Sequence, residues 1–294
     1  MDYELSNGGR SVSVSVASVQ GRFDIAQTLE CGQCFRFVKL GDARYRIVAH
    51  NRILCAEQRG DELILSPCGA DDFENVWKTY FDLERDYKRI ADALARGDEV
   101  MRKAIGRGGG IRILNQERWE TLVSFIVSQN KRIPGIKKIV GDIAAAYGDE
   151  IGGGEFAFPD ARKLSGVSVG GLADLKTGFR AKYIYDAIKK VAGGELDLDA
   201  MGSLGTEELR EKLMSVYGVG PKVANCVMLF SFGRRESFPV DTWVRRAMER
   251  FYFGGAATPV RTIQEFAAEI FGEYGGYAQQ YLFYYMREAG GDEN

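Results

Sequence analysis

From Ser11 to Val16 serine and valine alternate strictly, the two-residue period of a half-buried strand. Phe35-Arg36-Phe37-Val38, Tyr45-Arg46-Ile47-Val48, Ile53-Leu54-Cys55-Ala56 and Leu63-Ile64-Leu65 continue the series. Gly41-Asp42 is a turn between two of them, and Pro67 closes the run. The connections are too short for parallel crossovers, so the pattern predicts an antiparallel sheet over residues 10 to about 68. From Asp71 the period changes. Residues 73–81 and 86–95 read as helices, with Asp71 or Asp72 as a start signal. The remainder reads as helices broken by glycine. The prediction is an α+β protein: an N-terminal antiparallel sheet domain with flanking helices over 1–105, then a mostly α-helical domain over 106–294. No repeat and no low-complexity segment is found.

The second half is organised around residues 206–241. Leu209, Leu213 and Val216 stand at helical spacing, with Thr206 expected as the N-cap of a helix reaching about Tyr217. Gly218-Val219-Gly220-Pro221 breaks it, and Pro221 can open the next helix because a first-turn proline loses no useful N–H. Val223, Ala224, Val227, Met228 and Phe230 give that helix its apolar side. Two helices joined by a Gly-x-Gly hairpin can press backbone N–H groups against an anion. Lys222 sits in the positive field at the second helix's start. Asp241, 19 positions further on, is placed to cap a third helix beginning near Thr242. Residue by residue, this is also what a structural helical hairpin with a surface lysine and a capping aspartate looks like.

Composition narrows the classes. The net charge is −2 and the apolar fraction 45%, which argues against a protein that coats nucleic acid through bulk charge. A local basic face is still available from Lys131, Arg132, Lys137 and Lys138. No run of about 18 apolar residues occurs and the first residues lack the parts of a signal peptide, so no membrane span and a cytoplasmic location are expected. Of five cysteines, Cys31 and Cys34 form a CxxC, readable as a redox pair or half a zinc site. With no second CxxC and His50 as the one histidine, buried reduced thiols are the reading preferred.

Hairpin, following lysine and Pro239-Val240-Asp241, in this order and spacing, resemble the helix-hairpin-helix Gly/Pro–Asp superfamily of DNA glycosylases. The helix-hairpin-helix lies at about 206–232, with Gly218, Val219 and Gly220 as its phosphate-binding turn. Gly32-Gln33-Cys34-Phe35 is similar to a Gly-Gln-x-Phe sequence of the 8-oxoguanine DNA glycosylase branch. There the glycine carbonyl accepts from N7–H of the oxidised base, whereas N7 of guanine is itself an acceptor. A made bond is thus set against a buried unpaired acceptor. The resemblance further implies Cys226 and Phe283 on the two faces of the flipped base and Gln279 on its Watson–Crick edge. It implies Asn130 near the orphaned partner base, Phe179 as the wedge at the vacated step and Arg180 as the reader of the opposite cytosine. Without the resemblance, Gly32 is a strand-entry turn, Asn130 a helix terminator after the apolar helix 117–128, Phe179 a core residue and residues 277–287 an aromatic-rich core helix. Two positions depart from the animal-type enzymes: Gly135 stands where they carry an arginine, and Trp243 where they carry a histidine.

The implied reaction is excision of 8-oxoguanine from duplex DNA with strand nicking. By resemblance Lys222 is the nucleophile on C1′; burial and a helix N-terminus would favour its neutral amine over the ammonium. Asp241 stabilises positive charge developing on the sugar; as a capping carboxylate it is expected to have a low pKa. No metal takes part in the chemistry. The hairpin carbonyls are a place for a monovalent cation bridging to a phosphate, as in relatives. Some relatives hold an iron–sulfur cluster on four C-terminal cysteines; none follows Cys226, so no cluster is expected. The expected partner is duplex DNA containing 8-oxoguanine, met by a monomer, nucleoid-associated if the source is prokaryotic. An alkylated-base glycosylase of the same superfamily, a non-catalytic DNA-binding hairpin protein and a CxxC redox or zinc protein remain alternatives at this point.

Overall fold

The alternating segments pair into one six-stranded sheet in the computed structural model, which describes residues 3–291. The strands are β1 (Tyr3–Ser6), β2 (Ser11–Ser15), β3 (Phe37–Gly41), β4 (Arg44–Ala49), β5 (Arg52–Arg59) and β6 (Glu62–Ser66). They lie in the order β1-β2-β6-β5-β4-β3, every neighbour antiparallel. Val12 and Val14 on β2, Tyr45 and Ile47 on β4, Leu54 and Ala56 on β5, and Leu63 and Leu65 on β6 are all buried. They share one face because the pleat turns every second side chain the same way. That face packs on Ile25 and Leu29 of helix α1 (Ile25–Glu30) and on Phe73, Trp77, Tyr80 and Phe81. The latter lie on a helical run made of α2 (Ala70–Asp72), a π turn (Phe73–Trp77) and α3 (Lys78–Tyr80). Two details depart from expectation. β1 precedes the predicted sheet: its alternation, Tyr3-Glu4-Leu5-Ser6, is only four residues long, and it is an edge strand with no buried residue. Phe35 and Arg36 precede β3 rather than belonging to it, since the chain is still leaving the turn at Gly32, whose φ is +81°.

The helices that follow are α4 (Tyr87–Ala95), α5 (Glu99–Gly108), α6 (Arg118–Ser128), α7 (Ile133–Tyr147), α8 (Val169–Asp174), α9 (Arg180–Ala192), α10 (Thr206–Met214), α11 (Pro221–Ser231), α12 (Thr242–Tyr252), α13 (Val260–Phe271) and α14 (Gly275–Gly291). A short hairpin of β7 (Glu150–Gly152) and β8 (Glu155–Phe156) interrupts them. α6 packs on α11, and α14 packs on α5 and α12. α6 contributes seven consecutive buried residues, Thr121 to Val127, and α11 eight, Val223 to Phe230, as befits helices covered on all sides. Tyr87, Ile90, Leu94, Met101 and Ala104 of α4 and α5 pack into this helical core, not into the core under the sheet.

One buried side chain ties the sheet-side turn to the helical part. Gln33 is fully buried, and its amide nitrogen donates to the carbonyls of Thr28 and Arg112, each at 2.8 Å. Its amide oxygen accepts from Leu114 N–H at 2.9 Å, and its own carbonyl accepts from Gln116 at 2.8 Å. A buried amide whose donors and acceptors are all used holds its surroundings in one arrangement. Gly32, its neighbour, is thereby fixed facing α14, where a Cβ built on it would stand 3.5 Å from the Phe283 ring. Among the described residues no helix is long and apolar enough to cross a membrane.

Candidate active site

The hairpin forms as its residue types demand, with one shift. The first helix begins at Thr206 with Gly205 as N-cap, so Thr206 is inside the helix. Its hydroxyl does not cap but donates to Glu236 at 2.5 Å, and the helix ends at Met214 rather than near Tyr217. Gly218 takes φ +80°, and a Cβ on it would stand 2.4 Å from the Tyr183 ring. Both the backbone sign and the close approach therefore require glycine there. A Cβ on Gly220, by contrast, would meet no heavy atom within 4 Å. Its openness leaves room for a group arriving from outside. Pro221 opens α11 and Lys222 follows in its first turn.

Lys222 reaches into a cavity of about 1230 Å³. Its Nζ donates to Ser128 Oγ at 3.4 Å and lies 5.4 Å from the centre of the Phe125 ring. Asp241 borders the same cavity. It caps α12 as expected, accepting from Val244 N–H at 2.8 Å. Its pKa is not low, however. Burial pushes the carboxyl above its ordinary value, and the cap bonds and the Lys222 charge only partly pull it back. Capping alone lowers a carboxylate pKa; capping inside a cleft does not, because removing water penalises the charge more.

The sequence-predicted pocket residues converge. Gly32, Cys226, Gln279 and Phe283, from three distant parts of the chain, all line the cavity that holds Lys222, Asp241 and Asn130. Cys226 and Lys222 are one turn apart on α11, and Gln279 and Phe283 one turn apart on α14. Burial pushes the Cys226 thiol up to about 11 against the pull of Lys222, so it meets the cavity as a neutral thiol. Phe35, Phe125 and Phe230 form the floor; Phe125 stacks on Phe230 with ring centres 5.4 Å apart. Arg287 stands 5.5 Å from the Phe283 ring centre.

The remaining predicted residues are spread between the cavity and the surface beside it. Gly218, Val219 and Gly220 do not line the cavity: the two glycines are half-buried and Val219 packs into the helical core. Asn130 is exposed, sits in the left-handed region at φ +49° and ends α6, a conformation asparagine tolerates. Phe179 is 52% exposed at the start of α9, not in the core. It stands edge-on to Tyr183 at 5.7 Å, and Tyr183 in turn to Tyr217 at 5.0 Å. Arg180 opens α9 with its side chain buried. It is 4% exposed, donates to Gln129 O at 2.8 Å, Asn130 O at 3.0 Å and Thr177 O at 3.1 Å, and stacks on Phe179 at 4.4 Å. Its guanidinium braces the turn that carries Asn130, because three carbonyls converge there with no carboxylate nearby. At Gly135 the stem of Lys131 covers the place of a Cβ at 3.1 Å, and Lys131 and Arg132 stand on the cavity rim. Trp243 lines the cavity with Arg246 5.6 Å from its ring.

Ser128 and Gln280 escaped the sequence reading. The first is a plain serine at a helix end, with no signal. The second left one: a glutamine doublet inside an otherwise aromatic helix. The CxxC cysteines are both free and buried, and burial raises both thiols, Cys31 to about 12. Among the described residues no three His, Cys, Asp or Glu side chains group as metal ligands.

Comparison with known proteins bears on the whole chain. Residues 15–122 match the family model of the 8-oxoguanine DNA glycosylase N-terminal domain, and residues 123–271 that of the HhH-GPD superfamily of base excision DNA repair proteins. The chain is 31% identical over 283 residues to the N-glycosylase/DNA lyase OGG1 of Arabidopsis thaliana, covering 87% of this chain and 75% of that protein. It resembles the structure of MBOgg1 in complex with a low-affinity DNA ligand at 45% identity and TM-score 0.93, over 99% of this chain and 100% of that one. It also resembles the Clostridium acetobutylicum 8-oxoguanine glycosylase/lyase bound to duplex DNA with cytosine opposite 8-oxoguanine, at 38% identity and TM-score 0.92 over 99% of each chain.

Proposed function

The chain belongs to the 8-oxoguanine DNA glycosylase branch of the HhH-GPD superfamily of base excision DNA repair proteins, and from that premise we propose that it excises 8-oxoguanine from duplex DNA and nicks the strand through a Schiff base. The observation that carries this reading is the convergence of Lys222, Asp241, Gly32, Cys226, Gln279 and Phe283 on one cavity.

The flipped base enters between Cys226 and Phe283, with Gln279 at its Watson–Crick edge and the Gly32 carbonyl at N7–H. Phe179, exposed, fills the vacated step, and Asn130 and Arg180 hold the turn beside the orphaned base. Gly218, Val219 and Gly220 take a backbone phosphate, and a monovalent cation on the hairpin carbonyls would bridge to it. Lys222 Nζ then bonds to C1′ as the C1′–N9 bond breaks and the base leaves with the electron pair. Asp241, across the cavity, stabilises the positive charge that grows on the sugar. Opening of the sugar ring converts the Lys222 adduct to an iminium; loss of a C2′ proton then expels the 3′ phosphate. Ser128 bears on the first step. Its own proton is committed to Phe125 O at 2.7 Å, so toward Lys222 it offers only lone pairs. It therefore takes a lysine N–H and leaves the nitrogen lone pair free for C1′. Nucleophile and charge stabiliser are both side chains, so the chemistry calls on no cofactor. All these groups come from one chain, which supports action as a monomer, and the substrate supports a cytoplasmic, DNA-associated location.

The test is a duplex with one 8-oxoguanine opposite cytosine, treated with protein and borohydride beside an undamaged control. A covalent band with the lesion alone, absent in Lys222→Gln, is expected. Base release without any band would make the enzyme monofunctional and displace Lys222 from its role. Neither band nor release would overturn the reaction.

A further inference from the structure

The turn between α6 and α7 forms the cavity rim beside the place assigned to the orphaned base. Its backbone is held from two sides. Lys131 N–H donates to Ser128 O at 3.2 Å, and Arg180 donates to the carbonyls of Gln129 at 2.8 Å and Asn130 at 3.0 Å. With Thr177 O as a further partner at 3.1 Å, the Arg180 guanidinium is committed to bracing this turn. Gly135, in the first turn of α7, has no side chain to offer. Lys131 fills the space it leaves. A Cβ built on Gly135 would stand 3.1 Å from Lys131 Cε, 3.2 Å from Cγ and 3.7 Å from Cδ. The lysine stem thus lies along the helix at Gly135, on a backbone already fixed, and its ammonium is directed although exposed. Lys131 lines the cavity, and its Nζ has no hydrogen-bond or ion-pair partner among the described residues. Other lysines of this basic stretch are engaged: Lys138 pairs with Asp142 at 2.8 Å, and Lys137 lies 3.5 Å from the centre of the Phe37 ring.

We propose that Lys131 is a specificity-determining residue for the base opposite the lesion: its ammonium, carried across Gly135, donates to acceptors on the Watson–Crick edge of the orphaned base. This rests on the reading above, in which the Asn130 turn lies beside that base. An ammonium has three donors and no acceptor. An orphaned cytosine presents N3 and O2 as adjacent acceptors, and thymine presents two carbonyls. Adenine presents a single ring nitrogen next to an amino donor, which opposes the ammonium. The ammonium therefore favours a pyrimidine over adenine. A guanidinium fork fits adjacent acceptors together, whereas a compact ammonium is a point charge with no such geometry. Lys131 thus separates cytosine from adenine, but cytosine from thymine only weakly.

The experiment measures single-turnover excision of 8-oxoguanine placed opposite cytosine, thymine, adenine, or an abasic position that offers no base to read. Lys131→Met keeps a stem over Gly135 and removes the charge. It should lower excision opposite cytosine and thymine about 10-fold, the loss of a charged hydrogen bond at an exposed rim. Excision opposite the abasic position should not change, which also reports an intact fold and nucleophile, and the preference over adenine should narrow. Lys131→Arg should keep the preference over adenine and sharpen that for cytosine over thymine. Lys131→Ala should lose the preference over adenine, and adding Gly135→Arg should restore it by sending a cation from the other side of the same contact. An equal loss opposite every partner, with a shallower salt dependence of duplex binding, would make Lys131 a phosphate contact and overturn the inference. Unchanged excision opposite every partner in Lys131→Met, with an active wild type, would overturn it alone. A wild type that releases 8-oxoguanine opposite none of them would overturn the proposed reaction and this inference with it.

Discussion

Replacing Gly218 by alanine perturbs the hairpin in two separable ways. Its φ of +80° lies where an L-residue pays about 1–2 kcal/mol of backbone strain. The new methyl would also stand 2.4 Å from the Tyr183 ring, far inside contact distance. Forced overpacking of this kind typically adds about 1–3 kcal/mol. The sum, roughly 2–5 kcal/mol, predicts a fall in Tm of about 3–8 °C for a chain of this size, followed by circular dichroism. Tyr183→Ala on its own removes the ring and loses its edge-on contacts with Phe179 and Tyr217. Combined with Gly218→Ala, it should relieve the clash but not the backbone strain. The double variant should therefore be about 1–3 kcal/mol more stable than the sum of the singles. Binding of undamaged duplex should weaken in Gly218→Ala, because moving the turn moves the surface that meets the phosphate. A Gly218→Ala protein melting within about 1 °C of wild type would refute the steric reasoning. Strict additivity in the cycle would place the cost elsewhere than Tyr183.

Two further outcomes follow from the cavity. Ser128→Ala should slow the chemical step by about 10-fold, the value of one lost orienting hydrogen bond, with KM unchanged and activity recovered in Ser128→Thr; a KM effect or failed rescue would reduce Ser128 to packing. Asp241→Asn should abolish most excision yet melt no lower than wild type at pH 7. Asparagine caps as well as aspartate. Because the folded-state pKa is raised by burial, the folded protein holds the Asp241 proton more tightly than the unfolded chain, and ionisation costs stability as pH rises from the ordinary value of 3.8. The amide removes that cost, so the Tm difference between variant and wild type should grow in the variant's favour between acid and neutral pH. A lower Tm at pH 7 would contradict the sign.

The sheet was legible because it is covered on one face only: the serine–valine alternation of β2 is the pleat written into the sequence. β1 was not, because four residues, Tyr3 to Ser6, on an exposed edge make too short an alternation to stand out. The cap at Asp241 was legible from residue type, while Thr206 misled because a glycine directly before it also serves as N-cap. The placement of Gly32, Cys226, Gln279 and Phe283 in one cavity was expected from resemblance and from no periodicity. What pattern could not supply were properties of the third dimension. Nothing in the sequence shows that three carbonyls surround the Arg180 guanidinium. The Asp241 pKa reads as low until the depth of the cleft is known.

Asp241 also shows why one carboxylate serves two purposes here. As an N-cap its position is fixed by Val244 N–H, so the charge it carries is held in place without a flexible side chain to order. As a buried group it is under-solvated, so its attraction for any positive charge that appears nearby is stronger than it would be in water. Before reaction that attraction is met only partly, by Lys222. On the reading proposed above, the sugar becomes a second claimant when the glycosidic bond breaks, and the stabilisation would rise as the barrier is climbed. On that reading the burial that makes the resting carboxylate costly is the same burial that would make it effective in the transition state, and the cap is what allows the fold to keep it there.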